Sequence, residues 1–183
     1  ATREDGVTQL SGNGDAITGK LVGDRLFLVD TDGSLAIRDL TDPNNPVLLG
    51  GPTPITGGEG LSFDSGAQIE IEGNIAYFTA TNTLRTIDIS DPANISVLDS
   101  VNFADGDVRY PHIAIMDGVL YFASKRPNDI DASTTLFEAY NVQDPSNILL
   151  LGDMTQSARD RNDTQIAIMD RKIYFIRNTG TGD

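Results

Sequence analysis

The sequence lacks cysteine and tryptophan, and it holds a single histidine among 183 residues. The absence of cysteine excludes a disulfide scaffold, a thiolate metal site and a cysteine nucleophile. No apolar run approaches about 20 residues, the length that a membrane-spanning helix requires. We therefore expect no membrane span.

Basic residues are also scarce. The chain has 13 Lys and Arg against 27 Asp and Glu, which gives a formal net charge of −14. Nucleic acids and anionic membranes are bound by basic surfaces, so this charge argues against both as partners. Most of the acids are aspartates that lie beside Gly, Pro and Asn, which is typical of tight turns.

A phrase that ends in Asp-Pro occurs three times, as IRDLTDP at 37–43, TIDISDP at 86–92 and AYNVQDP at 139–145. Its Asp-Pro pairs are separated by 91 − 42 = 49 and 144 − 91 = 53 residues. A second phrase precedes each copy, as GDRLFLV at 23–29, GNIAYFT at 73–79 and GVLYFAS at 118–124. It recurs as RKIYFIR at 171–177, with no Asp-Pro after it. The chain therefore repeats every 50 residues or so, and we expect the fourth copy to be incomplete.

The Asp-Pro pairs have the chemistry of turns. We expect each aspartate to hydrogen-bond forward into its own turn, while the proline presets the backbone angle φ. Three residues before each of these aspartates stands another short polar residue, namely Asp39, Asp88 or Asn141. This recurrence predicts a repeated hydrogen bond to a neighbouring loop. The repeated phrase is thus interpreted as architecture and not as chemistry.

Each repeat resolves into four short strands, because alternating or continuous apolar runs are separated by turn residues and no run has the helical period. Four strands in about 50 residues, repeated, are typical of a β-propeller blade. A parallel β-helix is the alternative, although its rungs are shorter and have fewer tight hairpins. We predict an all-β fold of β-propeller blades with four antiparallel strands each, in a partial propeller or a fragment of a larger ring.

The repeat also predicts the organisation of the chain. Residues 1–15 form an N-terminal segment that could supply an outer closing strand. The blades then follow at 16–65, 66–109 and 110–163, and the start of a truncated fourth blade occupies 164–183.

The second repeat, GNIAYFTATNTLRTIDISDPANISVLDSV at 73–101, resembles the LVIVD repeat. The first repeat, at 23–50, is similar, whereas the third is looser because of the insertion KRPNDIDASTT at 125–135. The resemblance implies a scaffold, found in secreted or surface-attached propellers of bacteria and archaea. It implies no reaction.

Ligands of propellers usually bind at a mouth of the central channel, which is lined by the loops before the innermost strands. Here those loops precede IEIEG and the two copies of IAIMD. The binding candidates that they supply are Asp64, Asp107, Arg109, Tyr110, His112, Arg159, Arg161 and Asp163. The functional interpretation makes His112 a general base or metal ligand, with Arg109 or Arg161 holding an anionic group. The alternative is a histidine that bonds a neighbouring loop or lies exposed.

A second candidate lies at Asp30-Thr-Asp32-Gly-Ser, which begins like a calcium loop. Its two acids are candidate Ca²⁺ ligands, but the distal glutamate of a complete loop is absent. The preferred interpretation is a hairpin turn. Apart from this Ca²⁺, the sequence implies no cofactor.

The inventory of catalytic groups is poor, so the leading hypothesis is a non-enzymatic secreted or cell-surface module. Its partners would be protein, glycan or matrix ligands, or copies of itself within a larger chain or assembly. A hydrolase or lyase at the channel mouth is one alternative. A structural subunit of an extracellular filament or coat is another.

Overall fold

The computed structural model describes residues 15–58, 61, 66–80, 82–103, 109–126, 133–158, 164–169 and 172–177. Four groups of strands follow one another along the chain, and each begins a new repeat. The strands are β1 (Ala16–Val22), β2 (Arg25–Asp30), β3 (Ser34–Asp39) and β4 (Val47–Pro54); β5 (Ala67–Glu72), β6 (Ile75–Ala80), β7 (Thr83–Asp88) and β8 (Ser96–Asn102); β9 (Arg109–Met116), β10 (Val119–Arg126), β11 (Ser133–Asn141) and β12 (Leu149–Ala158); and β13 (Thr164–Met169) and β14 (Lys172–Arg177).

Each of the first three groups forms one antiparallel sheet in which neighbours in the chain are neighbours in space. The strand orders are β1-β2-β3-β4, β5-β6-β7-β8 and β9-β10-β11-β12, and β13 pairs with β14. Tight turns permit this order because Gly23, Gly73 and Gly118 have positive φ between the first and second strands. The all-β prediction with four antiparallel strands per blade is confirmed, and the antiparallel sheets rule out a parallel β-helix.

The first strands of successive sheets contact one another. β5 lies against both β1 and β9, and β9 lies against β13. Lys20 of β1 and Glu70 of β5 form an ion pair of 2.8 Å across the first of these contacts. These first strands are therefore the inner strands of the blades, as expected of a propeller.

The hydrophobic cores lie between blades and not within one blade. One cluster joins Phe27, Leu35 and Ile37 of the first blade to Phe78 and Ile87 of the second. A second cluster joins the other face of the second blade, through residues such as Tyr77 and Leu84, to Leu120, Phe122 and Tyr140 of the third. Burial on both faces explains why β6 reads as a continuous apolar run. Each blade thus needs a neighbour to form its core.

Each complete blade has a β-bulge at the same place, between its third and fourth strands. Gly50 pairs with Ile37, Asp99 with Thr86 and Gly152 with Ala139, and the next pairing skips a leucine (Leu49, Leu98 or Leu151) in each case. An extra residue in one strand bends that strand and exposes a backbone position. We call Gly50, Asp99 and Gly152 the dock residues.

The Asp-Pro turn of the following blade contacts the first two dock residues. Pro92 lies so close to Gly50 that a Cβ there would overlap its carbonyl oxygen. In the next pair of blades, Thr86 Oγ1 donates to the carbonyl of Pro145 (2.5 Å), and the amide of Ile148 donates to Asp99 Oδ2 (2.7 Å). The Asp-Pro turns therefore connect adjacent blades.

Replacement of Gly50 by alanine should destabilise the protein, because the new methyl group must displace backbone. We expect a loss of about 1–3 kcal/mol in the free energy of unfolding, the usual range for overpacking. Gly152→Ala is the matched control, since nothing lies within 4 Å of a Cβ at that dock residue. Urea unfolding of both variants checks this, and an equal loss in both would contradict the docking of Pro92 on Gly50.

Candidate functional site

Most of the predicted channel-mouth residues lie outside the described part of the chain. This holds for Asp64, Asp107, Arg159, Arg161 and Asp163. Arg109 and Tyr110 are the first two residues of β9, where Arg109 pairs with Lys125 of β10. Their assignment as binding residues stays a prediction.

His112 lies within the inner strand β9 and is partly buried. It pairs in register with Ala123 of β10 and follows Pro111, which is buried. His112 therefore lies within a strand and not in the loop that precedes the strand. Within the described residues, no group of three His, Asp or Glu side chains is arranged to hold a metal ion.

Asp30 and Asp32 flank the β2–β3 hairpin and face different surroundings. Asp30 is completely buried at the end of β2, whereas Asp32 is exposed. The amide of Ser34 donates to Asp32 Oδ1 (3.1 Å), and the amide of Gly33 donates to the carbonyl of Asp30 (2.9 Å). Gly33 has a φ of 76°, which favours glycine. This geometry is that of the hairpin turn, in which Asp32 is a turn residue.

The aspartates of the Asp-Pro turns hydrogen-bond as expected. The amides of Asn44, Ala93 and Ser146 donate to the carboxylates of Asp42, Asp91 and Asp144, each at 3.0 Å. In the second repeat, a short 3₁₀ turn at Pro92–Asn94 follows, and the Asn94 side chain also donates to Asp91 (2.6 Å).

The predicted bond from Asp39, Asp88 and Asn141 to a neighbouring loop is wrong. Each side chain instead accepts a bond from the amide two residues later, at 2.8 Å, 2.8 Å and 3.0 Å. A short side-chain oxygen reaches its own chain more readily than another loop, which is why these residues favour such turns. The recurrence in sequence therefore reflects a local turn that leads into the Asp-Pro turn.

These turns lower the pKa of three of their carboxyl groups. The pKa of Asp39 is lowered by its bonds from the side chain and backbone of Thr41, and that of Asp88 by its bonds from Ser90. The pKa of Asp91 is lowered by its bonds from Asn94 and Ala93. All three shifts arise because the bonds favour the charged form.

The third blade carries a surface that the sequence-based interpretation missed. A groove of about 310 Å³ lies on this blade. It is lined by Tyr121, Phe122, Phe137, Glu138, Ala139, Leu151, Gly152, Asp153 and Met154. We call it the third-blade groove. The available signal was ILLLGDM at 148–154, an outer strand with an unusually long apolar run.

Beside the groove, Tyr140 donates its hydroxyl to Glu138 Oε2 (2.7 Å). Burial first, and then the bond to Glu138, raise the pKa of Tyr140 above its usual range. Glu138 is 3% exposed, so this pair is part of the interior between the second and third blades. Its chemistry is that of a buried polar contact, and it places no acid or base at the channel mouth.

Four-stranded antiparallel sheets, adjacent inner strands and cores between blades define a protein built of β-propeller blades. A scan of protein families adds that residues 13–51 and 65–102 match the LVIVD repeat. These two segments thus match the LVIVD repeat, and the resemblance of the first two repeats is confirmed.

Among solved structures, the chain is similar to the crystal structure of the computationally designed Ika4 protein. The TM-score is 0.59 at 12% identity, over 95% of this chain and 92% of that one. The computationally designed Ika8 protein matches with a TM-score of 0.47 at 9% identity, over 86% of this chain and 54% of that one. The likeness to Ika4 supports the fold alone. No curated protein matches the chain, and no helix among the described residues is long and apolar enough to cross a membrane.

The turn carboxylates predict how stability depends on pH. Their pKa in the folded chain lies below the unfolded value, so they stabilise the fold above that value and lose this contribution as pH falls through the folded pKa. We expect the free energy of unfolding to fall steeply below about pH 4. A variant with Asp39, Asp88 and Asp91 replaced by Asn keeps the turn acceptors but has no carboxyl that titrates at these three positions.

Urea unfolding of both proteins at several pH values checks this. The variant should show a shallower loss of stability on acidification than the wild type. Parallel curves would contradict the stabilising role of these three carboxylates.

Proposed function

We propose that the chain is a non-enzymatic repeat module of a secreted or cell-surface protein. In this proposal, it binds a protein, glycan or matrix ligand through the loops that enter its inner strands. The observation that carries the proposal is the contact of successive inner strands, β1 with β5, β5 with β9 and β9 with β13. A propeller whose blades repeat one topology brings equivalent loops together at one mouth of its channel.

The residue types of those loops suit a polar ligand. Arginines and a tyrosine supply planar donors and an amphipathic ring, which are frequent at binding sites. Arg109 and Tyr110, which follow such a loop at the start of β9, and Arg161 are the examples in this chain. The formal net charge of −14 disfavours anionic polymers as partners. A rigid scaffold that carries variable loops is a common arrangement for recognition.

An enzymatic role, which would need a metal site or an acid–base pair, has less support than a binding role. Asp30 is buried and Asp32 belongs to a turn, which favours architecture for this pair. His112 lies within strand β9, where it pairs with Ala123 of β10. These observations favour binding over catalysis at the channel mouth.

The proposal predicts that the variant Arg109→Ala/His112→Ala/Arg161→Ala keeps its fold and loses binding. The measurement is retention on an immobilised glycan panel and on a panel of extracellular-matrix proteins, together with thermal unfolding. We expect the wild type to bind at least one panel member and the variant to bind it about tenfold more weakly or worse, since each lost charge-assisted bond is costly.

Arg25→Ala is the control, because Arg25 is exposed at the start of β2. It should bind like the wild type. Turnover of p-nitrophenyl ester, phosphate or glycoside substrates by the wild type, abolished in the triple variant, would overturn the proposal in favour of a hydrolase.

A further inference from the structure

The second strands of the first three blades carry different residues at equivalent places. Each of these strands follows a two-residue turn, so β2, β6 and β10 can be aligned from the residue pair that closes the turn. In this alignment, Thr79 of β6 takes the place that Val29 has in β2. Likewise, Ser124 of β10 takes the place that Ala80 has in β6. At both positions, an apolar residue is thus exchanged for a hydroxyl residue in the next blade.

Both hydroxyl residues face the same interface between blades. Thr79 alternates along β6 with Tyr77, and Ser124 alternates along β10 with Phe122. Tyr77 and Phe122 belong to the core between the second and third blades. Because alternate residues of a strand lie on one face, the side chains of Thr79 and Ser124 point into this core as well.

The interface between the first and second blades is the apolar counterpart. Val29 and Ala80 stand at the equivalent places there, and both are buried in the core that these two blades share. Valine has the shape of threonine, and alanine differs from serine by one hydroxyl group. The fold therefore accommodates apolar side chains at these positions, so packing alone does not account for the two hydroxyl groups.

The two hydroxyl groups are deeply buried. Thr79 is 0% and Ser124 is 2% exposed. Neither Thr79 Oγ1 nor Ser124 Oγ has a hydrogen-bond partner among the residues that the structure describes, and the same is true of the buried Asn82 Oδ1. A buried polar group without a hydrogen bond costs free energy, and native proteins satisfy such groups with protein atoms or ordered water.

Asn82 is connected to the same end of the interface by contacts of known length. It lies in the turn between β6 and β7, and its carbonyl accepts a bond of 3.0 Å from the amide of Phe103. The ring of Phe103 stacks on that of Phe122, with the centroids 3.9 Å apart. Phe122 stands two residues before Ser124 on the same face of β10. The amide oxygen of Asn82 therefore belongs to the interface that contains the two hydroxyl groups.

We propose that Thr79, Ser124 and Asn82 bind a water molecule between the second and third blades. The water donates to Asn82 Oδ1, which can only accept, and it bonds the hydroxyl groups of Thr79 and Ser124, which can donate or accept. Three hydrogen bonds are the usual number for a buried water. The water connects β6 to β10 where the preceding interface has direct apolar contact. This inference is independent of the proposed function, because none of the three residues lies in a loop before an inner strand.

A metal cation suits this site less well than water. The three oxygen atoms are neutral, whereas hard cations in proteins are usually bound by carboxylates. The buried acid on this face of the third blade, Glu138, accepts the bond from the Tyr140 hydroxyl (2.7 Å). Water also satisfies donors and acceptors at once, which two hydroxyl groups and an amide oxygen require.

A double-mutant cycle tests whether one water joins the two hydroxyl groups. Thr79→Val and Ser124→Ala should each raise the equilibrium constant of unfolding about fivefold, the usual effect of losing one hydrogen bond. The double variant recreates the pair found at Val29 and Ala80, and it should lose less stability than the two single effects combined, because the second replacement removes a group whose bond is already lost. Urea unfolding measures all four proteins.

The water itself is measured by oxygen-17 relaxation dispersion, which counts the water molecules held inside a protein. The wild type should hold one more than the double variant. Nuclear Overhauser effects from this water to the amide protons of Thr79 and Ser124 should give its location. Thr79→Ser keeps the hydroxyl group and should keep the water. Ser96→Ala is the control, because Ser96 is exposed at the start of β8, and it should change neither the water count nor the stability.

Two outcomes would overturn the inference. One is single variants that are as stable as the wild type or more stable, with effects that add in the double variant, since this is expected of hydroxyl groups that are buried without any partner. The other is an equal number of internal water molecules in the wild type and the double variant.

Discussion

The structure depends on the contact between one blade and the next. A four-stranded sheet of this size buries little by itself, since both of its faces are apolar and neither can be left in water. Phe78 and Ile87 are shielded by the first blade, and Tyr77 and Leu84 by the third. The ion pair between Lys20 and Glu70, the seat of Pro92 on Gly50 and the bonds of Thr86 and Asp99 are all formed across these same boundaries.

The Asp-Pro turn also takes part in the contact between blades, a role that its local hydrogen bonds do not reveal. Its carboxylate organises the turn from within, as Asp91 does through Ala93 and Asn94. The carbonyl groups and amides that remain on the outside of the turn then face the bulge of the preceding blade. The Asp-Pro turn thus forms hydrogen bonds within itself and also contacts the preceding blade. This combination explains why the phrase recurs while the loops before the inner strands vary.

The sequence was sufficient for the strands and their order, because alternation, turn glycines and the repeat all agree. It also indicated that Asp42, Asp91 and Asp144 bond within their own turns. It failed at Asp39, Asp88 and Asn141, since recurrence alone does not distinguish a local acceptor from one that spans two loops. It also missed the third-blade groove, because the exposure of Leu151 depends on which neighbour covers it and not on the residue itself. Channel-mouth residues such as Arg161 are a prediction of the repeat pattern alone.

The dock residues have a consequence for the order of the blades. Gly50 admits a carbonyl at close range because it has no side chain, whereas Asp99 offers a carboxylate to an amide of the incoming turn. The contact between blades therefore depends on close packing at Gly50 and on a hydrogen bond to a carboxylate at Asp99. A single residue at each bulge thus decides how the blade holds its neighbour, although the turn that it meets is repeated along the chain.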